Sequence, residues 1–256
     1  MSFGYQVLGF GGSGTAAETG NDNGIFAYGY PTSPGNVSNL VSNLGVVATD
    51  TAGVGTARYK LQGCDYGTDT AIFGFGASTT PTLNMTNLVS NTGVVATDTT
   101  GVGTARWSQG ACEYGGDKAI MAFGATPSVT NVSNLISNTG VCSTDVAGVG
   151  TSRASCWGCD YGTDTGIIAY GYTTVKTNIS NLISNTGVVA TDGSGVGSVR
   201  EAPAATQYGQ DKGIFGYGTV PGATNITNLV SDVGVISTDV SGVGTARLEL
   251  AACSYN

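Results

Sequence analysis

The sequence has no histidine and little positive charge, with 9 lysines and arginines against 17 acidic residues. Without histidine the chain cannot form a His-based triad, use a histidine general base or supply the usual imidazole ligand of zinc sites. A formal net charge of -8 repels phosphate backbones and anionic lipid surfaces. We therefore expect no nucleic-acid partner and no bound metal or other cofactor.

Long apolar runs are also missing, and none approaches the roughly 20 residues of a membrane helix. The first residues, MSFGYQVLGFGG, lack the basic start of a signal peptide. We expect a soluble chain without membrane insertion, which is not exported by the ordinary secretory route. Cysteine is sparse, and most of the six thiols occupy one repeated column, so we expect free thiols on separate units: Cys64, Cys112, Cys159 and Cys253.

Glycine, by contrast, is abundant, with 42 residues, which favours an all-β chain of short strands and tight turns. The segment GVGTAR or a close variant occurs five times and recurs about every 47 residues. It starts at Gly53, Gly101, Gly148, Gly195 and Gly242. Each copy leads into a stretch ending in tyrosine. A G-x-D turn, an apolar run such as AIFGFG, an Asn-Leu-Val-Ser stretch and a Val-Val-Ala-Thr-Asp stretch fill the rest of the repeat.

These stretches predict four strands per repeat, as in a propeller blade. We predict a five-bladed β-propeller of four-stranded blades over residues 21–256. The first apolar run, at Gly24, has no arginine strand before it, and the last arginine strand, from Arg247 to Tyr255, has no apolar run after it. The C-terminal strand is therefore expected to complete the first blade and close the ring. Residues 1–20 are left as an N-terminal arm or an extra strand.

The pattern R-x-x-x-x-[AG] followed by an apolar strand ending in glycine resembles the kelch repeat, which implies a propeller fold. A second sequence pattern is similar to repeat proteins of tailed bacteriophages, especially marine ones. It reads YG-x-D-[KT]-x-I-x-x-[YF]-G, followed by TNL[VI]SNTGVVATD. That similarity implies a virion component made in the host cytoplasm. In the number and length of its repeats the chain also resembles the tachylectins, five-bladed propellers that bind sugars.

Two charged columns repeat five times, and repetition favours a structural role because a catalytic site normally occurs once. We expect the arginines to clamp neighbouring blades rather than form an anion-binding ring. We expect the aspartates to accept backbone N–H bonds rather than bind calcium. The columns are Arg58, Arg106, Arg153, Arg200 and Arg247, and Asp50, Asp98, Asp145, Asp192 and Asp239.

Function is expected where the repeats differ. Tyr59 and Trp107 each follow a repeated arginine, and Trp157 lies on an equivalent strand. These three are our candidate ligand-binding residues, because aromatic side chains contact sugars and protein surfaces well. The alternative is that the rings fill space between blades. We predict no catalytic residue, and Cys156 and Cys159 should point to opposite faces of a strand.

These observations predict a non-enzymatic phage protein that acts as a structural or host-adhesion module. Its expected partners are other virion proteins or glycans and proteins of the host surface, and the chain can also associate with copies of itself. The alternative is a soluble multivalent lectin with up to five related pockets.

Overall fold

We analysed a computed structural model of the chain, which describes residues 23–30, 32–79 and 81–254. The predicted arm, residues 1–20, lies outside this part. The described residues contain strands and no helix, so none of their elements is a helix of the length and apolarity needed to cross a membrane. The all-β prediction is confirmed.

Sixteen strands follow one another along the described chain. They are β1 (Gly24–Gly29), β2 (Gly35–Val41), β3 (Gln62–Tyr66), β4 (Thr70–Gly74), β5 (Thr86–Val89), β6 (Gly110–Tyr114), β7 (Lys118–Ala122), β8 (Ala125–Thr126), β9 (Ser128–Val129), β10 (Ser133–Ile136), β11 (Trp157–Tyr161), β12 (Thr165–Tyr172), β13 (Lys176–Ile183), β14 (Ala204–Tyr208), β15 (Lys212–Gly216) and β16 (Thr227–Val230).

The strands form small antiparallel sheets that follow the repeat. Four sheets have three strands, in the orders β3-β4-β5, β6-β7-β10, β11-β12-β13 and β14-β15-β16. β1 pairs with β2, and β8 with β9. In each three-stranded sheet the apolar run is central and the strand ending in tyrosine is at one edge. We call residues 24–51 unit 1, 53–99 unit 2, 101–146 unit 3, 148–193 unit 4, 195–240 unit 5 and 242–254 the tail.

The prediction of four-stranded blades is wrong. The fourth stretch of each unit meets the third strand only at isolated bridges, as Val95 does with Val89 and Thr99 with Thr86. Between the bridges, the side chain of Asn87 replaces a strand partner by donating to the carbonyl of Ala96 at 2.9 Å. A side chain that takes over a backbone acceptor interrupts the regular ladder.

The described residues do not show the predicted closure of the ring. Residues 248–254 form no strand, and within the described part of the chain β1 pairs with β2 on one side only. Tyr255, with which the predicted C-terminal strand ends, lies outside the described residues. The described units therefore form a series with two ends.

Neighbouring units pack closely because small residues line their contacts. A side chain at Gly166 would meet Cys112 Sγ at 2.5 Å, and one at Gly158 would meet the carbonyl oxygen of Ala111 at 2.5 Å. Buried side chains from adjacent units then share a core, as Phe123 of unit 3 and Ile168 of unit 4 do. Close approach of the sheets thus depends on glycine at these positions.

Candidate functional site

The repeated arginines lie between units. Each guanidinium stacks on the ring of an aromatic residue from the preceding unit, with Cζ 3.7 to 4.2 Å from the ring centre. Desolvation lowers the pKa of Arg106 to about 10. Four of the five arginines are fully buried, so an anion from solvent cannot reach them: Arg58, Arg106, Arg153 and Arg200.

Hydrogen bonds hold the guanidinium groups of Arg58, Arg106 and Arg153 in place, whereas the buried guanidinium nitrogens of Arg200 have no hydrogen-bond partner among the described residues. Arg153 donates from Nε to the carbonyl of Tyr170 at 2.9 Å and from Nη2 to that of Ile168 at 3.0 Å. Its ring partner is Phe123. The backbone of Phe123 lies in the left-handed region, with a φ of 66°. The four counterparts of Phe123 in the other units also have positive φ values: Tyr28, Phe75, Tyr170 and Tyr217. Cation–π stacking and buried hydrogen bonds together join the apolar strand of one unit to the next unit.

The repeated aspartates are engaged within their units. Asp145 accepts the hydroxyl of Thr104 at 2.6 Å, the N–H of Thr104 at 3.0 Å and the amide of Asn134 at 3.0 Å. Partial burial raises its pKa, but these hydrogen bonds outweigh that effect and the net pKa lies below the ordinary value. The same bonds are made by Asp98, Asp192 and Asp239. Their oxygens are thus already bonded, and the described residues hold no group of three or more potential metal ligands.

A third charged column lies one residue before the tyrosines. Burial raises the pKa of Glu113 to about 8 and that of Asp160 to about 6, and raises that of Asp65 well above its ordinary value. Repulsion from neighbouring carboxylates raises the pKa values of Asp65 and Glu113 further. Glu113 and Asp160 border a small hollow together with Gln207. Sequence reasoning missed this column, although the sequence shows an acid directly after the repeated cysteine in three of the five repeats.

Aromatic side chains converge on one part of the surface. The rings of Tyr30 and Tyr59 lie 4.8 Å apart between centres, and Tyr30 is 55% exposed. The ammonium group of Lys60 lies 4.3 Å from the ring centre of Trp107 and 5.8 Å from that of Tyr59. We call these four residues the aromatic surface. Lys60 is exposed, whereas Tyr59 and Trp107 are half-buried.

The backbone explains why these side chains meet. Tyr59 and Trp107 each follow a buried arginine and form a bridge with the residue beyond the next apolar strand, Ala77 and Ala125. Lys60 has a φ of 55° and its carbonyl accepts the N–H of Ser108 at 2.9 Å. That bond brings unit 2 against unit 3, so Lys60 reaches the indole of Trp107.

The three predicted aromatic residues are therefore separated. Tyr59 and Trp107 belong to one surface, joined through Lys60. Trp157 instead lies on β11 and packs against the core cluster of Cys159 and Phe215. Tyr30 and Lys60 were missed because their contacts connect residues that are distant in sequence.

Equivalent positions in later units carry different chemistry. Ala154 is buried and bridges to Tyr172, which is 40% exposed. Glu201 bridges to Thr219 and forms an ion pair with Lys176 at 3.6 Å. The cluster of rings with a lysine is thus specific to units 1 to 3.

All six cysteines are unpaired. Cys156 and Cys159 belong to different core clusters, as expected for residues on opposite faces of a strand. Burial raises the pKa of the Cys159 thiol well above its ordinary value. A thiol held protonated in an apolar core is a poor nucleophile and a poor metal ligand.

Comparisons with protein families and with curated proteins give no relative for this chain. No protein-family model matches the chain, and the search of curated proteins finds no match.

Proposed function

We propose that this chain is a non-enzymatic binding module, a five-bladed propeller-like protein of a phage particle that uses its aromatic surface to contact the host. The observation that carries this proposal is that the side chains of Tyr30, Tyr59, Lys60 and Trp107 lie together on a partly exposed surface. These residues occupy positions where the repeats differ, while four of the repeated aspartates are hydrogen-bonded inside their units and the repeated arginines stack on rings of the preceding unit.

The chemistry of the aromatic surface favours a saccharide. Flat rings contact the apolar faces of sugar rings, and phenol hydroxyl groups and a lysine supply polar contacts at the rim. Lys60 places a positive charge beside the rings, which locally favours an acidic sugar over a neutral one although the chain's net charge of -8 opposes it.

The state of the other reactive groups supports a binding role over catalysis. Four of the repeated carboxylates, Asp98, Asp145, Asp192 and Asp239, accept several hydrogen bonds each, and the thiols of Cys112 and Cys159 are buried and protonated. The virion assignment rests on the resemblance of the repeat wording to phage proteins. Antibody labelling of purified particles tests it, with label on the particle as the expected result.

The second candidate is a soluble multivalent lectin, which the five-fold repetition of the scaffold favours. Valency separates the two. A lectin of that kind needs equivalent residues in each unit, but the position of Tyr59 and Trp107 is Ala154, Glu201 or Leu248 elsewhere. We therefore expect one strong site per chain.

The test is a glycan array followed by titration calorimetry of the best ligand. We expect a stoichiometry near one and a loss of affinity of about tenfold or more for Trp107→Ala, as for a contact worth at least ~1.4 kcal/mol. The matched control is Trp157→Phe, which changes a ring outside the aromatic surface. Several equivalent sites would favour the lectin, and full affinity in Trp107→Ala would refute the role of this surface.

A further inference from the structure

Three contacts recur along the described units, and each leaves a pair unmade between unit 5 or the tail and unit 1 or the start of unit 2. The first is the hydrogen bond from the hydroxyl group that follows the Gly-Val-Gly of each repeat to the repeated aspartate of the same unit. Thr56, Thr104, Thr151 and Ser198 make it, with hydroxyl distances of 2.6 to 2.7 Å. The unused members are Thr245 of the tail and Asp50 of unit 1. Asp50 does accept the amide of Asn39 at 2.8 Å, as its counterparts accept theirs.

The second contact is a row of backbone hydrogen bonds two residues after each arginine. The N–H donors Ser108, Ser155, Ala202 and Glu249 bond to the carbonyls of Lys60, Ser108, Ser155 and Ala202 at 2.8 to 3.4 Å. All five residues have φ between 50° and 55°. The first and last members, Lys60 and Glu249, carry opposite charges, whereas the three between them are small and uncharged.

The third contact joins a tyrosine to a turn glycine of the following unit. A side chain at Gly140, Gly187 or Gly234 would lie 2.7 to 2.8 Å from the ring of Tyr66, Tyr114 or Tyr161. Those tyrosines are 4 to 6% exposed. In unit 5 the equivalent Tyr208 is 38% exposed, and the equivalent turn glycine in unit 1, Gly45, has no neighbour within 4 Å.

We propose that the exposed end of unit 5 with the tail is a docking surface for unit 1 of the same chain. Thr245 then bonds to Asp50, Glu249 pairs with Lys60, and Tyr208 packs on Gly45. All three unused pairs belong to one junction, because each links unit 5 or the tail to unit 1 or the start of unit 2. The inference concerns the arrangement of units and shares only Lys60 with the aromatic surface.

The bonded row favours the same chain over a second copy. Consecutive units are one hydrogen bond apart at the row that begins at Lys60, whereas packed sheets generally stand about 10 Å apart. Units held together along one such row fan out around it, and the proposed junction takes the two ends of the series to face each other. Covalent connection also gives the two ends a high effective concentration, in the millimolar range.

The test compares one bond at two places. Thr104→Ala removes the hydroxyl bond to Asp145 inside unit 3 and sets the reference loss, a Tm lower by about 2 to 4 °C. We expect Thr245→Ala to lower Tm by a similar amount. An unchanged Tm in Thr245→Ala, with a lowered Tm in Thr104→Ala, would overturn the proposed junction.

Two further measurements test the junction: exchange of the charges of Lys60 and Glu249, and the mass of the protein in solution. Lys60→Glu and Glu249→Lys should each lower Tm, and the double variant should recover most of the loss. Light scattering should give a monomer mass at all concentrations. A mass that rises with concentration in the natural chain and falls in Thr245→Ala would show that a second copy occupies the surface, and would refute closure within one chain.

Discussion

The repeated arginine and aspartate network and the aromatic surface lie side by side but serve different ends. In the network, equivalent residues make equivalent bonds in successive units, as Thr104 with Asp145 and Thr151 with Asp192 do. In the aromatic surface, the position after the arginine is tyrosine or tryptophan in units 2 and 3 and alanine or glutamate in units 4 and 5. The comparison teaches that repetition marks stabilising contacts, whereas the surface that we propose for binding lies where the repeats diverge.

The sharpest way to break the network is at a buried arginine, where the largest effect is expected. Arg153→Met removes three hydrogen bonds and leaves the carbonyls of Tyr170, Ile168 and Thr151 without these donors. Because unsatisfied buried acceptors are costly, we expect the free energy of unfolding to fall by about 3 kcal/mol. Urea denaturation measures this loss.

The control for Arg153→Met is Lys212→Met, in which the lost partner is the adjacent Asp211 at the surface. Its stability should stay close to that of the natural chain. Glycan affinity of the folded Arg153→Met fraction should be unchanged. Equal losses of stability in the two variants would contradict the role of burial at Arg153.

The buried acids predict a pH dependence of intermediate size. The pKa of Glu113 is about 8, against an ordinary value of 4.5, so the native state keeps a proton that the unfolded state has released between these values. The stabilisation is complete below about pH 4.5 and is lost as pH rises through about 8.

We therefore expect Tm to fall between about pH 6 and pH 8 in the natural chain, above the range of Asp160, and to fall less in Glu113→Gln. Differential scanning calorimetry at both pH values measures the difference. The matched control is Gln207→Glu, which places an acid at the same column of unit 5 and should add to the fall. An identical pH slope in Glu113→Gln would rule out the buried acid as its source.

A smaller loss is expected at the aspartates. Asp145→Asn weakens the bonds from Thr104 and Asn134, and we expect the free energy of unfolding to fall by about 1 to 2 kcal/mol at pH 7. The variant should lose less stability than the natural chain between about pH 5 and pH 3, because the lowered pKa of Asp145 no longer contributes while those of Asp98, Asp192 and Asp239 still do. Persistence of the full acid sensitivity would contradict this assignment.

The smallest effect is expected at the divergent column of unit 5. Glu201→Gln removes a partly exposed ion pair with Lys176, and such pairs contribute less than about 1 kcal/mol. Neither the unfolding midpoint nor glycan affinity should change measurably. A large loss of affinity would extend the binding surface beyond units 1 to 3.

Much of the scaffold was predictable because it depends on local patterns. The apolar runs, such as Ala71 to Gly76, and the stretches ending in tyrosine predicted the paired strands. The fourth strand failed because Asn87 takes the carbonyl that a strand would have used, and no strand periodicity reports a side chain in that role. Closure of the ring stays a prediction, since residues 248–254 form no strand.

The candidate site was predictable only in part. Tyr59 and Trp107 stood out because they break the repeat, but the same reasoning selected Trp157, whose strand position faces the core. Lys60 joins the two rings through its left-handed backbone and the bond to Ser108. That arrangement depends on the packing of units 2 and 3, which are about 47 residues apart.

The central claim is that the network stabilises and the aromatic surface binds, and Trp107→Ala tests it most directly when Tm and glycan affinity are measured on one preparation. The account predicts a Tm within a few degrees of the natural chain and an affinity lower by about tenfold or more. A large fall in Tm with affinity preserved in the folded protein would contradict it, because Trp107 would then be a packing residue like Trp157.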